Sequence, residues 1–354
     1  MFKKKKFTIE KTQNLKPCEV QLEITIPKEI IAEQRNKALD SLNKNVQIDG
    51  FRSGHIPEKV LVEKIGEYTI IEEACKSAID ELFSDIVVES KHIPINQPQI
   101  EVLKLAIDTD ALIKVIFATP PEIELGNYKK IAKKHLEAKK EVGPVTQEEI
   151  DAVLLDLRKQ VAHMEYHHKH TEDTGHSHGD LEPVELNDDF AQKVGPYKNL
   201  AELTDAIKEN LTGQKKQTET EKFRLALIDE VVADSKIQYP DFFLTAEQNI
   251  ILEEIRADLA RMGTTLDTYL KQIGKTETEV KEEKKDLADK RVKTQLVLSK
   301  IAATEEIKPD EKVVEEQVLE IQKNYPNAHT ENIRSFVERF ELNQLVWNML
   351  EETK

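Results

Sequence analysis

The chain has 354 residues, 39% of them hydrophobic and 33% charged, with a net charge of −16. That length favours two or three domains with a sizeable core, and only 11 glycines with 5% aromatics argue against a turn-rich all-β protein. No apolar run nears the roughly 18 residues of a membrane span, and two cysteines, Cys18 and Cys75, make no disulfide framework.

The start, Met1-Phe2-Lys3-Lys4-Lys5-Lys6, has the basic region of a signal peptide but not its apolar segment, since Glu10 and Lys11 follow at once. The chain is therefore expected to stay in the cytoplasm. Residues 1–119 carry 17 Lys and Arg against 19 Asp and Glu, so −14 of the net charge falls on the remainder. A nearly neutral end could touch a polyanion while the acidic remainder stands clear of it. The plainer alternative is that the negative charge only keeps the protein soluble.

Residues 17–26 alternate, with Val20, Leu22, Ile24 and Ile26 on one face, which predicts a half-buried strand. Pro27 opens a helix striped by Ile31, Ala38 and Leu42 and joined by Leu39 and Val46. A second helical pattern resumes at Val60, Leu61 and Ile65. The stretch from Tyr68 to Ser90 repeats Ile71, Cys75, Ile79, Leu82 and Ile86 at helical spacing, with Cys75 as a small buried hydrophobe. Strands are predicted around 100–107 and 111–118. Thr119-Pro120-Pro121 ends this α+β unit, and an extended linker is expected to Gly143-Pro144.

Thr146 and Glu149 form a capping box that starts a helix through Val153, Leu154, Leu157 and Val161, ending near Gln160. Residues 163–180 then break the pattern with His163, His167, His168, His170, His176 and His178. Beyond them the chain reads as helical to its end. One helix begins at Leu200, Leu203 and Ile207 and runs on through Leu225, Ile228 and Val232. Pro240 starts the next, with Leu252, Ile255, Leu259 and Met262 on one face and Gly263 and Gly274 as punctuation. A capping box at Thr276 and Glu279 leads to a helix with Leu287, Leu296 and Ile301. Pro309 opens another, and Ile333, Phe336, Val337, Phe340 and Leu345 mark the last. No nucleotide loop, dinucleotide fingerprint, zinc-finger spacing or nucleophile elbow occurs, so no catalytic residues and no cofactor are expected.

The segment that departs from this pattern is Asp49-Gly50-Phe51-Arg52-Ser53-Gly54-His55-Ile56-Pro57, set between two helices. Two glycines and a proline give a loop of defined shape, and a phenylalanine beside an arginine is a pair that anchors interfaces. This points to docking rather than catalysis. The alternative from the residues alone is an ordinary interhelical turn whose phenylalanine folds inward.

In its helix–loop–helix setting this segment resembles the Gly-Phe-Arg-x-Gly-x-x-Pro docking signature of the bacterial trigger factor family. The order of elements is similar too, as is Tyr239-Pro240 followed by a long striped helix. The resemblance implies a ribosome-associated chaperone that docks beside the exit tunnel, shelters nascent chains and assists folding and export. Its partners would be an exit-tunnel protein, nearby rRNA and unfolded or nascent polypeptides, with self-association left open. Residues 1–119 would form the ribosome-binding α+β domain, 120–145 an extended linker, and 146–354 an elongated all-α chaperone domain with arm-like helices. Phe51 would be the apolar anchor and Arg52 a donor to carboxylate or phosphate. Gly50, Gly54 and Pro57 would shape the loop, with His55 as a further contact.

Two departures from the family stand out. Ser53 replaces the usual basic residue, and the His-rich loop at 163–180 stands where a prolyl isomerase domain is generally inserted. So short a segment rarely folds alone, so isomerase activity is expected to be absent. His163 and His167, four apart, could share a metal ion if helix reached them, but a solvated loop is the favoured reading. The remaining alternatives are a ribosome-independent cytosolic holdase and a His-rich metal-binding protein.

Overall fold

The computed structural model describes residues 6–48, 50–106, 109–139, 142–169 and 182–353. They group into two compact units, Met1–Gly126 with Val232–Lys308, and Asn127–Val231 with Pro309–Lys354.

The first unit opens with β1 (Thr8–Lys16) and β2 (Glu19–Ile26). It continues through α1 (Lys28–Asn45), α2 (Glu58–Ile65) and α3 (Glu67–Ser90), and returns as β3 (Gln99–Lys104) and β4 (Ala111–Ala118). These strands form one antiparallel sheet in the order β1-β2-β4-β3. The alternation of β2 is realised: Val20, Leu22, Ile24 and Ile26 are buried. They meet Ile113, Val115 and Phe117 of β4 under Ala74, Cys75, Ala78, Ile79, Leu82 and Ile86 of α3. Each fully buried aliphatic side chain contributes about 1.5–3 kcal/mol. Alanines at 38, 74 and 78, all fully buried, belong to the same core, where α1 packs on α3. Burial in that core pushes the Cys75 thiol up to about 11.

Strand β1 has no counterpart in the sequence pattern. Its residues are mostly exposed and polar, so pairing with β2 rather than an apolar face defines it. Pro17 and Cys18, expected within a strand at 17–26, form the turn between β1 and β2, where Cys18 takes a φ of +57°.

The stretch 120–145, expected to be extended, instead contains β5 (Glu122–Glu124) and a helix, α4 (Tyr128–Ala138). Asn127 caps that helix by accepting the Lys130 N–H at 3.1 Å, and Tyr128, Ile131 and Ala132 form its buried side. Closely spaced lysines hid this apolar spacing. In the second unit, α4 is followed by α5 (Gln147–Lys169), α6 (Asp188–Val194) and α7 (Leu200–Asp234), the last ending just inside the first unit. The Thr146–Glu149 capping box is present at 2.9 and 3.4 Å. Helix α5 runs to Lys169 rather than stopping near Gln160. Helix α6 was not anticipated; Asn187 caps it, and Phe190 and Ala191 bury against Ile150 and Leu154 of α5 and Leu203 and Ile207 of α7.

The region beyond residue 180 is not wholly helical, because β6 (Lys236–Gln238) pairs with β5 in the first unit. Helices α8 (Asp241–Arg261), α9 (Leu266–Ile273), α10 (Glu277–Glu283) and α11 (Lys285–Thr304) follow it. Leu252 and Leu259 pack with Leu266 and Val280. Met262, expected on that face, is 79% exposed, because it ends the helix beside Gly263, whose φ is +75°. The Thr276–Glu279 capping box starts α10 as expected, but the single helix predicted from it is two, divided at Lys284. Leu287 is exposed; Val292, Val297, Leu298 and Ile301 are the buried side of α11.

The second unit is completed by α12 (Glu311–Asn324) and α13 (Thr330–Glu351). Asp310, one residue past Pro309, caps α12. Val314 and Val318 of α12 pack on Ile333 and Val337 of α13. Among the described residues no helix is long and apolar enough to cross a membrane.

Candidate docking loop

Between α1 and α2 the chain makes two tight reversals. The Phe51 N–H donates to the Ile48 carbonyl at 3.1 Å, and the His55 N–H to the Arg52 carbonyl at 3.0 Å. Gly50 and Gly54 have φ of +87° and +85°, and an added Cβ would meet nothing within 4 Å at either. Backbone conformation, not lack of space, therefore demands glycine at both.

The loop is fastened at its far end. Ile56 is only 3% exposed and packs with Leu39, Leu61 and Ile70. Its N–H donates to the Asn43 side-chain oxygen at 2.9 Å, and its carbonyl accepts from the Asn43 amide nitrogen at 2.8 Å. The Asn43 backbone carbonyl also accepts the Gly54 N–H at 2.7 Å. One residue in the last turn of α1 thus satisfies three backbone groups of the loop.

This fixes which side chains face outward. Phe51 is 41% exposed, and Arg52, Ser53, Gly54, His55 and Pro57 are exposed with it. The apolar residue that turns inward is Ile56, not Phe51. A ring, a guanidinium and an imidazole are therefore presented on one short tip, and Ser53 adds no charge to it.

Below the tip, Arg35 joins three helices. Its guanidinium donates to both Glu67 oxygens at 2.7 and 3.1 Å and to Glu58 at 2.8 Å. Glu58 begins α2, directly after Pro57, and Glu67 begins α3. The hydrogen bonds to Glu67, and then to Glu58, raise the Arg35 guanidinium above its ordinary value. The reciprocal hydrogen bond from Arg35 holds the Glu67 carboxyl below the usual carboxylate range.

The sequence reading missed Asn43, Ile56 and Arg35. Asn43 carried a weak signal as an asparagine in a helix's last turn, but its partner lies 13 residues away. Among the histidines, His163 is half-buried on α5. The side chains of His167 and His168, and all of His170, His176 and His178, lie outside the described residues. Among the described residues no group of three or more His, Cys, Asp or Glu side chains could hold a metal ion.

Helix α13 sorts its apolar residues into two sets. Ile333, Val337, Val346 and Leu350 are buried. Phe336 and Phe340 are 54% and 47% exposed and stack on each other at 6.5 Å with their planes 18° apart. On α12, Leu319 is exposed as well.

Two family models match nearly end to end. The model described as "Bacterial trigger factor protein (TF)" matches residues 6–157, and its companion for the C-terminus matches residues 199–353. The chain belongs to the bacterial trigger factor family. Relatives include the trigger factor of Halothermothrix orenii, 23% identical over 89% of this chain and 90% of its own length. That of Clostridium botulinum strain Hall is 23% identical over 92% and 93%. A solved structure of the trigger factor chaperone, described for promiscuous substrate recognition in folding and assembly, covers 97% of this chain and all of its own. Its TM-score is 0.52 at 19% identity, which supports the trigger factor fold. The two trigger factor matches leave residues 158–198 between them, the stretch that contains the His-rich tract.

Proposed function

We propose that this trigger factor family member is a ribosome-associated chaperone that attaches through the tip at residues 50–57 and shelters emerging polypeptides. The observation that carries this reading is the tip itself: Phe51 and Arg52 stand outward on a loop whose shape Asn43, Gly50 and Gly54 impose. Preorganisation of this kind lowers the cost of binding. Phe51 acts as the apolar anchor, and Arg52 donates to a carboxylate of an exit-tunnel protein or to an rRNA phosphate. Gly50, Gly54 and Pro57 shape the loop, His55 adds a further contact, and Ser53 contributes no charge. Residues 1–119 serve as the ribosome-binding domain, 120–145 as the connection and 146–354 as the chaperone body.

Clients are held by exposed apolar side chains such as Phe336, Phe340 and Leu319. Apolar patches of this sort mark interaction sites on proteins in water. Several weak patches suit an unfolded chain of no fixed sequence. We infer no prolyl isomerase activity, because the His-rich stretch at 163–180, where the family's isomerase domain would be inserted, is too short for a domain with its own core. The protein works in the cytoplasm, partly bound to ribosomes.

Co-sedimentation with ribosomes tests the reading. Phe51→Ala with Arg52→Ala is expected to abolish it with helical content unchanged. If the double variant sediments as the wild type does, the tip is not the docking site. A ribosome-independent holdase would then account for the exposed aromatics.

A further inference from the structure

Two lysines flank the tip, one on each side. Lys44 stands in the last turn of α1, next to Asn43, whose carbonyl holds the Gly54 N–H at 2.7 Å. Lys59 stands in the first turn of α2, two residues after Pro57. The Pro57 carbonyl accepts the Val60 and Leu61 N–H groups at 2.9 and 3.0 Å. Each lysine therefore sits on a formed helical turn at the base of the loop, and both are exposed.

The carboxylates around them are committed elsewhere. Glu58 and Glu67 bind Arg35, below the tip, and Glu73 accepts from Ser41 at 3.2 Å. Other lysines of α1 and α3 are neutralised on the helix surface, Lys37 by Glu81 at 2.6 Å and Lys76 by Glu72 at 3.1 Å. Among the described residues, Lys44, Arg52 and Lys59 form no ion pair. Asp40 lies one turn before Lys44 and Glu63 one turn after Lys59, a spacing at which helical pairs close, yet neither pair forms. Lys59 also stands in a first turn, where the helix dipole favours anions. Three cations thus gather at the tip of a chain whose net charge is −16.

We propose that Lys44 and Lys59 contact RNA phosphates on either side of the tip, supplying the positive charge that Ser53 lacks. This rests on the ribosome-docking reading above and names part of what the tip meets. Lysine is depleted from protein–protein interfaces, whereas its ammonium group is a point charge suited to phosphate oxygens and carries no base readout. A nucleic-acid backbone repeats its charge at short intervals, so it offers phosphates to two lysines on opposite sides of one loop. A single carboxylate cannot serve both. From Asn43 to Val60, Phe51 is the only large hydrophobic side chain exposed among the described residues. The lysines therefore have no apolar surface around them for a protein partner to cover.

The test uses the full chain carrying K44Q and K59Q, with Phe51 and Arg52 in place. A control carries K28Q and K91Q, exposed lysines at the start of α1 and just past the end of α3. The Gln34–Glu81 and Ser41–Glu73 hydrogen bonds run α1 and α3 antiparallel, so both control sites lie at the end away from the tip. Affinity for ribosomes is measured from about 50 to 200 mM salt. The K44Q/K59Q variant is expected to bind about three- to tenfold more weakly at roughly 100 mM. The slope of log affinity against log salt should become shallower by about 1.5, as when two phosphate contacts are lost. The control should change neither. A photo-reactive benzoylphenylalanine in place of Lys59 is expected to give a ribosome adduct that nuclease removes.

Equal losses in variant and control would reduce the effect to net charge and overturn the proposal. So would an unchanged slope in K44Q/K59Q. An adduct that resists nuclease and yields to protease would place position 59 against protein and overturn it too. If K44Q/K59Q binds as the wild type does while the Phe51/Arg52 variant does not, this proposal fails and the docking reading stands. If the Phe51/Arg52 variant binds normally, the docking reading fails, and the adduct at position 59 still decides whether this side of the tip meets RNA.

Discussion

The side chain of Asn43 and the backbone of Ile56 close on each other through two hydrogen bonds, at 2.9 and 2.8 Å. The same asparagine holds Gly54 through its own carbonyl at 2.7 Å. Asn43→Ala leaves the Ile56 N–H and C=O unpartnered next to a buried side chain, at a cost of about 1–3 kcal/mol per group. Faster amide exchange at Ile56 and weaker ribosome binding are expected, with the tip side chains unaltered. Asn43→Asp keeps the acceptor and loses the donor, so it should fall between the two. Unchanged exchange at Ile56 in Asn43→Ala would show that the clamp does not hold the loop.

Gly54→Ala tests shape apart from contact. The site has room for a methyl group but a φ of +85°, so the substitution costs roughly 1 kcal/mol in conformation alone. Ribosome affinity should drop severalfold in an equilibrium titration even though Phe51 and Arg52 are intact. Ser53→Lys should act in the opposite direction, raising affinity at low salt and losing that gain as salt rises.

The α13 helix separates stability from client binding. Leu350 is fully buried, so Leu350→Ala should lower unfolding stability by about 2–5 kcal/mol in a urea titration. Phe336→Ser with Phe340→Ser removes exposed rings, so stability should move by no more than about 0.5 kcal/mol per site. Suppression of aggregation of a denatured substrate should fall in the phenylalanine variant.

Acid should loosen the base of the tip. Glu67 has its pKa lowered in the folded protein by the hydrogen bond from Arg35. A lowered carboxylate contributes stability that is fully present above its unfolded value of about 4.3 and lost as pH falls through the folded value. Glu67→Gln should therefore be less stable than the wild type at pH 7, and the gap should close towards pH 3. Urea midpoints of the two proteins across that range provide the check.

Much of this was legible from local pattern. The alternation of β2 and the stripe of α3 mark faces that must be buried, and both are. The capping boxes at Thr146 and Thr276 are local hydrogen-bond arrangements that need no distant partner. The tip was legible because glycine, phenylalanine, arginine and proline each have few reasons to stand together between helices. Strand β1 was hidden because a polar strand is made by its neighbour's backbone. Helix α4 was hidden because its lysines masked three apolar residues. Phe336 and Val337 could not be told apart, since both sit at helical spacing beside core positions and only packing says which one faces inward.

The sequence by itself determined that residues 49–57 break the helical pattern between two helices, and which residue types stand there. Periodicity and turn chemistry act over a few residues, so they are written in the chain. Tertiary structure alone decided that Ile56 turns in and Phe51 turns out, because that choice depends on Asn43, Leu39, Leu61 and Ile70 arriving from three helices. It also decided that Lys134 meets the Glu230 carboxylate and Lys139 the ring of Phe223, partners that arrive from about 90 residues further along the chain. Contacts at that separation are set by packing and carry no local signature.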